Sequence, residues 1–183
     1  MGDLKSDVVV AAFDDGVIAS RALHKLLATG FKPDDLSFVG KASCSNERVL
    51  GWTDRGHGGV KFWGIRSTLW EYVWALFGGG LFLTTPVMGP TFMMGRIGAF
   101  EERSLDAGVI IGGMTAIGTA LLSMGLPRND AEIFDDLVAR DRFLLMVHGS
   151  ALDVNLASAN LASSAPPRLM TFPGIVPRSD LAA

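Results

Sequence analysis

The chain has 183 residues, of which 49% are hydrophobic and 19% charged, with a formal net charge of −3 and a mean hydropathy of +0.33. This length suits one domain with a long insertion, and the apolar composition argues against disorder throughout. Without a cluster of Lys or Arg, nucleic acid is not expected as a partner. The single Cys44 excludes an intramolecular disulfide, and the N-terminus lacks the features of a secretory signal.

The N-terminal forty residues predict a βαβ unit. Continuous β-branched residues, helical spacing of Ala and Leu, and a second short apolar run predict a strand over 8–13, a helix over 15–29 and a strand over 36–39. Asp14 or Asp15 is expected to cap the helix, and Gly30 is expected to end it.

The C-terminal end repeats this order. The apolar pattern predicts a strand over 143–148, a helix near 151–163 and a short strand over 168–172. Ser150 is the expected N-cap, with Asp153 completing a weakened capping box. Two such units joined through one antiparallel sheet make an α+β ferredoxin-like sandwich, with both helices on one sheet face. The opposite face is then left for inserted helices, a partner subunit or a ligand.

A long apolar segment is predicted to be inserted between the second and third strands of this sandwich. It contains two uncharged stretches, 72–95 and 107–127, each about the ~20 residues that a helix needs to cross a bilayer. Glycines at 78–80 and prolines at 86 and 90 interrupt the first stretch, so we expect a broken helical hairpin. The predicted divisions are 1–61 (first βαβ unit and linker), 62–127 (Gly-rich apolar helical hairpin), 128–174 (helix and second βαβ unit) and 175–183 (tail).

The second uncharged stretch contains small residues at every fourth position, namely Gly108, Gly112, Ala116 and Ala120. Residues four apart share a helix face, and small side chains allow two helix backbones to approach closely. The stripe therefore predicts close helix packing, either in lipid or within a soluble bundle.

Three tryptophans, Trp63, Trp70 and Trp74, are spaced seven and four apart and would share one helix face. Such a stripe is typical either of interfacial anchors at a membrane or of a hydrophobic core. Lys and Arg on both flanks of the segment and acids in its connector favour a hairpin with both flanks in the cytoplasm.

Several short motifs occur in an ordered series along the chain. These are the residues 8–15, the spacing to Gly30–Phe31 and 33–36, the central 77–82 with Gly89–Pro90, and 125–127 followed by 147–149. With them the chain, over about 8–163, resembles a bacterial family of uncharacterised predicted membrane proteins related to general stress proteins, with a glycine-zipper-like centre. The resemblance implies a stress-associated, membrane-linked or self-associating protein, and it supplies no catalytic residues.

A Gly-rich loop is the best candidate for binding an anion. Its members are Arg55, Gly56, His57, Gly58 and Gly59, with Lys61 close behind. Backbone amides and two cations could hold a phosphate, but no Lys-Ser/Thr pair follows as in a P-loop, so a flexible linker is the other interpretation. Neither the spacing of the three histidines nor that of the carboxylates indicates a metal site, a cofactor or catalysis.

The sequence therefore predicts a non-enzymatic, membrane-associated or self-assembling stress-type protein that acts through its apolar hairpin. Its partner would be the lipid bilayer or a second copy, and its location the cytoplasmic face of the membrane or the cytoplasm. The alternative is a soluble regulatory module that binds a small-molecule ligand at the Gly-rich loop and the open sheet face.

Overall fold

A computed structural model describes residues 6–41, 51–54, 60–63, 68–85, 88–98 and 113–178. The fold is α+β, built on a six-stranded antiparallel sheet with helices on both faces. In chain order the strands are β1 (Ser6–Phe13), β2 (Leu36–Lys41), β3 (Gly51–Asp54), β4 (Val60–Trp63), β5 (Gly80–Thr85), β6 (Gly89–Gly95), β7 (Phe143–Gly149) and β8 (Arg168–Ile175). The helices are α1 (Gly16–Ala28), α2 (Thr68–Phe77), α3 (Ala116–Ser123), α4 (Arg128–Ala139) and α5 (Ala151–Ala162). The large sheet has the order β5-β6-β2-β7-β1-β8, and β3 pairs with β4 in a separate two-stranded sheet.

The strands and helices predicted at the two ends of the chain are confirmed. β1 and β7 are neighbouring interior strands of the sheet, in a register that runs from Asp7 opposite Gly149 to Phe13 opposite Phe143. Alternate residues of each strand point to opposite faces, and helices cover both faces. Because both faces of these strands are buried, their sequences are continuous apolar runs and do not alternate between apolar and polar residues.

Local capping sets the ends of the helices that flank these strands. The Asp15 carboxylate accepts the Val17 N–H at 2.6 Å and begins α1, whereas Gly30, with φ of +100°, ends it. Ser150 and Asp153 form a complete capping box at the start of α5, stronger than the weakened box that the sequence predicts.

For the first arm of the hairpin, the prediction of a helix is wrong after Phe77. Helix α2 stops there because Gly78 and Gly79 have φ of +70° and +133°. The residues that follow form the antiparallel hairpin β5–β6, and β6 pairs with the edge of β2. Pro90 cannot continue a helix, because proline has no N–H to donate. In the extended conformation, the backbone groups of β6 instead form hydrogen bonds with the free edge of β2.

The second arm is helical only over Ala116–Ser123 within the described part. Gly113 has φ of +84°, and the Thr115 hydroxyl accepts the Ile117 N–H as an N-cap, so the helix cannot extend to earlier residues. Gly125, with φ of +105°, ends it. Among the described residues, no helix is both long enough and apolar enough to cross a membrane.

The sheet face opposite α1 and α5 is not open. Helices α3 and α4 cover it, and their apolar side chains form a second core with the sheet. Buried members of this core from the two helices include Ile117, Leu121, Phe134 and Val138. The sequence left inserted helices, a partner subunit or a ligand as candidates to cover this face, and inserted helices are observed there. The ligand-binding alternative requires this face to be open, and in the described structure it is covered.

A buried carboxylate joins these two helices. Asp135 of α4 accepts the Thr115 N–H at 2.9 Å, the Gly118 N–H at 3.1 Å and the Thr115 hydroxyl. It thus pairs N–H groups at the start of α3 that have no partner within the helix. A Cβ at Gly118 would lie 2.9 Å from the Asp135 carboxyl carbon, so only glycine permits this approach.

We predict that Gly95→Ala destabilises the fold strongly. Gly95 has φ of +77°, and a Cβ there would lie 2.1 Å from the Leu36 carbonyl oxygen, so the β2–β6 pairing must distort. The free energy of unfolding in urea should fall by at least about 2 kcal/mol. The matched control is Gly30→Ala, which also has positive φ but open space around it, and which should cost about 1 kcal/mol. Equal losses in the two variants would contradict this account.

We also predict that Asp135→Asn destabilises the protein by about 1–3 kcal/mol, because an amide replaces one acceptor oxygen by a donor and leaves an N–H of α3 unpaired. Urea unfolding measures the loss. Asp136→Asn is the control, since Asp136 forms an exposed ion pair with Arg140 at 2.8 Å and should contribute less than about 0.5 kcal/mol.

Candidate functional site

The tryptophans do not form one exposed stripe. Trp70 is fully buried and packs against Phe38, Phe92 and Phe143, with ring centroids 5.9, 4.6 and 6.0 Å away. Trp74 is half-buried and contacts Phe92 edge-on at 5.9 Å. Trp70 is therefore a core residue and not an interfacial anchor. Trp63 lies in β4, and its side chain is outside the described part of the structure.

The small-residue stripe is described only in its second half. Ala116 is half-buried and Ala120 is completely buried in the core between α3 and the sheet. Gly108 and Gly112 lie outside the described residues. Of the described half of the stripe, Ala120 therefore packs inside the protein's own core, whereas Ala116 lies at its margin.

The predicted anion-binding loop falls largely outside the described residues, which exclude positions 55–59. Lys61 lies in β4, and its side chain is likewise not described. The loop therefore stays a prediction.

A buried polar pair lies at the end of the sheet where β1 begins and β7 ends. Ser37 Oγ lies 3.0 Å from His148 Nε2, and the Ile97 N–H donates to Ser37 Oγ at 3.0 Å. If the hydroxyl donates to Nε2, its proton is paired, and the proton of the neutral imidazole then lies on Nδ1. Burial lowers the pKa of His148 to about 3, and the positive charge of Arg96 adds to this effect. The histidine is neutral at physiological pH.

His148 lines two cavities, and a third lies beside Arg96 without touching the pair. One of about 20 Å³ lies between His148, Arg96 and Met124, and its volume suits a single water molecule. A second, of about 200 Å³, lies between the end of α1 and the start of α5, and a third, of about 420 Å³, is an open cleft beside Gly78–Gly80 and Arg96.

The Ser37–His148 pair resembles a nucleophile with its base in composition, but its burial argues for a structural role. Ser37 is 0% exposed and His148 is 3% exposed, so a substrate in the neighbouring cavities could not reach the hydroxyl. The pair instead satisfies polar groups within an apolar core. No group of three potential metal ligands occurs in the portion of the chain that is described.

The outer face of α5 is the most exposed apolar surface among the described residues. Leu152 is 79% exposed and Leu156 is 52% exposed, the two largest values among the large hydrophobic side chains. The opposite face of the helix is buried, with Val154, Ala157 and Leu161 in the core against the sheet. Helix α5 is therefore apolar on both faces, unlike an ordinary surface helix.

A signal for this surface is present in the sequence as a scarcity of charge rather than as a hydrophobic period. The chain carries no charge from 154 to 167, and Asp153 is the only charged residue of α5. By contrast, α4 carries five charged residues in the same helix length of 12. Because this run is short and lies outside the long apolar segment, its helical pattern predicts a helix but not an exposed apolar face.

Comparison of the chain with protein-family models, with curated proteins and with solved structures found no significant match. The functional assignment therefore rests on the geometry of the described residues.

We predict that burial of His148 makes the protein sensitive to acid. An unfolded histidine binds a proton below about pH 6.5, whereas the folded one does not until about pH 3, so its stabilisation is complete above pH 6.5 and is lost as the pH falls. The free energy of unfolding should decrease by up to about 1.4 kcal/mol per pH unit in this window. Urea unfolding of the wild type and of His148→Gln across this pH range tests this, because only the wild type has a titrating side chain at position 148. Parallel profiles for the two proteins would rule it out.

Proposed function

We propose that this protein acts without catalysis, by associating with a second copy of itself through the outer face of α5. The exposure of Leu152 and Leu156 on a helix with a single charged residue is the observation that carries this proposal. When a partner removes a contiguous patch of exposed apolar side chains from water, the free energy of the system falls, and this favours association. Self-association is one of the two modes that the sequence predicts, now assigned to a different surface.

The apolar insertion has an internal role in this proposal. Its described side chains pack on both faces of the sheet, with Trp70 in one core and Met93 and Leu121 in the other. Side chains buried in the protein's own core cannot contact lipid or another copy at the same time. Contact through α5 therefore replaces contact through a helical hairpin. The association with stress that the resemblance implies stays a prediction.

The frame that presents α5 is, in our proposal, a ferredoxin-like sandwich formed by β1, α1, β2, β7, α5 and β8. The antiparallel order β2-β7-β1-β8 supports it, as does the packing of α1 and α5 in the same core. The segment between β2 and β7 would then be an insertion that adds β5 and β6 beside β2 and covers the second face.

Sedimentation equilibrium of the full chain tests the proposed function. The wild type should form a dimer, and Leu156→Glu should raise the dissociation constant at least about tenfold, because a carboxylate would lose its hydration in the interface. Glu and Leu have similar helix propensities, so the fold should be retained. The matched control is Ile133→Glu, since Ile133 is 36% exposed on α4 and lies on a different surface.

A wild type that stays monomeric at all concentrations would contradict the proposal. Flotation with phospholipid vesicles is the second arm of the test. Loss of flotation in Leu156→Glu, with a monomeric wild type, would show that the α5 face binds lipid instead.

A further inference from the structure

Four exposed positions form a stripe along the outer face of α5. Leu152, Leu156, Ala159 and Ser163 are spaced four, three and four apart, so they lie one above another on a helix, and all are exposed. The two large side chains lie in the N-terminal half of the stripe and the two small ones in the C-terminal half. The stripe is thus uneven in shape along the helix axis.

We infer that two copies pack through an antiparallel, two-fold symmetric pair of α5 helices, with each leucine of the stripe against a small residue of the partner subunit. The inference rests on the proposed self-association and specifies its geometry. An axis between Ala157 and Ser158 places Leu156 against Ala159 of the partner subunit, and Leu152 against Ser163 of the partner subunit. Because the two-fold is isologous, each of these contacts occurs twice.

Steric fit favours this direction over a parallel one. An antiparallel pair places large side chains opposite small ones along the whole stripe, which permits close and even packing. A parallel pair would place leucine against leucine in one half and alanine against alanine in the other. Crowding in one half would then hold the other half apart and leave a gap.

Charge at the ends of the stripe favours the same direction. The Lys25 ammonium donates a hydrogen bond to Ser163 Oγ, so a positive charge lies at the C-terminal end of α5. Asp153, at the N-terminal end, is exposed and lines the cavity between α5 and the end of α1, the helix that carries Lys25. An antiparallel two-fold brings Lys25 of one copy toward Asp153 of the partner subunit at both ends. A parallel pair would instead place both lysines at one end and both aspartates at the other, without an oppositely charged partner.

These two observations identify a second copy as the occupant. The large and small halves of the stripe complement each other only when two copies of the same face pack in opposite directions. The same holds for the charges at the two ends of the stripe. A lipid surface would require neither the reversal nor the paired acid and base.

The test uses two variants whose defects should cancel when they are mixed. Leu156→Ala leaves a cavity in its own dimer, and Ala159→Leu places leucine against leucine, so each variant alone should dimerise at least about tenfold more weakly than the wild type. In an antiparallel mixed dimer, each contact again joins one leucine and one alanine. The equimolar mixture should therefore form a heterodimer with a dissociation constant within about threefold of the wild-type value.

Native mass spectrometry of the mixture identifies the heterodimer, and sedimentation equilibrium gives its dissociation constant. Both positions are exposed, so circular dichroism and thermal unfolding of each variant should match those of the wild type. Ile133→Ala serves as the control with unchanged dimerisation, because Ile133 lies on α4.

Wild-type dimerisation by both single variants, or a mixture as weak as either variant, would overturn the antiparallel geometry. In the second case, Leu156→Glu would still weaken the dimer if α5 is the interface, so the proposed function would stand. A monomeric wild type would instead overturn the proposed function.

Discussion

The pairing of β1 with β7 determines where the two helical layers of the protein can pack. These two strands lie in the interior of the sheet, between β2 and β8, and carry apolar side chains toward both faces. Two buried faces require two helical layers, since a single layer would leave one row of side chains in water. Helices α1, α2 and α5 form one layer, and α3 and α4 form the other.

The second layer comes from the segment between β2 and β7, which explains the unusual apolarity of the chain. A segment that looks suited to lipid is used to extend the sheet by β5 and β6 and to cover its far face. Where this layer meets polar backbone, single side chains complete the hydrogen bonds: Asp135 at the start of α3, and Ser37 at the Ile97 N–H. Buried polar groups of this kind are costly if unpaired, so both sites specify how the layer is placed.

Helix α5 belongs to the first layer, but it differs from its neighbours in what it presents to water. Its inner face fills the core above β1 and β7, and its outer face presents Leu152 and Leu156 without compensating charge. Neither core packing nor capping explains these two leucines, because both lie outside the core and the capping box uses Ser150 and Asp153. A contact with another molecule gives them a physical role.

Elements whose signals are local could be predicted correctly from the sequence. The strand at 8–13 and the helix that Gly30 ends follow from short-range chemistry of apolar runs and caps, and so does the capping box at Ser150. The order of the two βαβ units also followed from the sequence. The strands over 80–95 depend on long-range pairing, because β6 pairs with the free edge of β2, whose residues lie 50 to 58 positions earlier in the chain. Only the tertiary structure decided that Trp70 is buried and that Leu152 is exposed. Burial depends on which neighbours cover a side chain, and that information is not contained in the periodicity of any single segment.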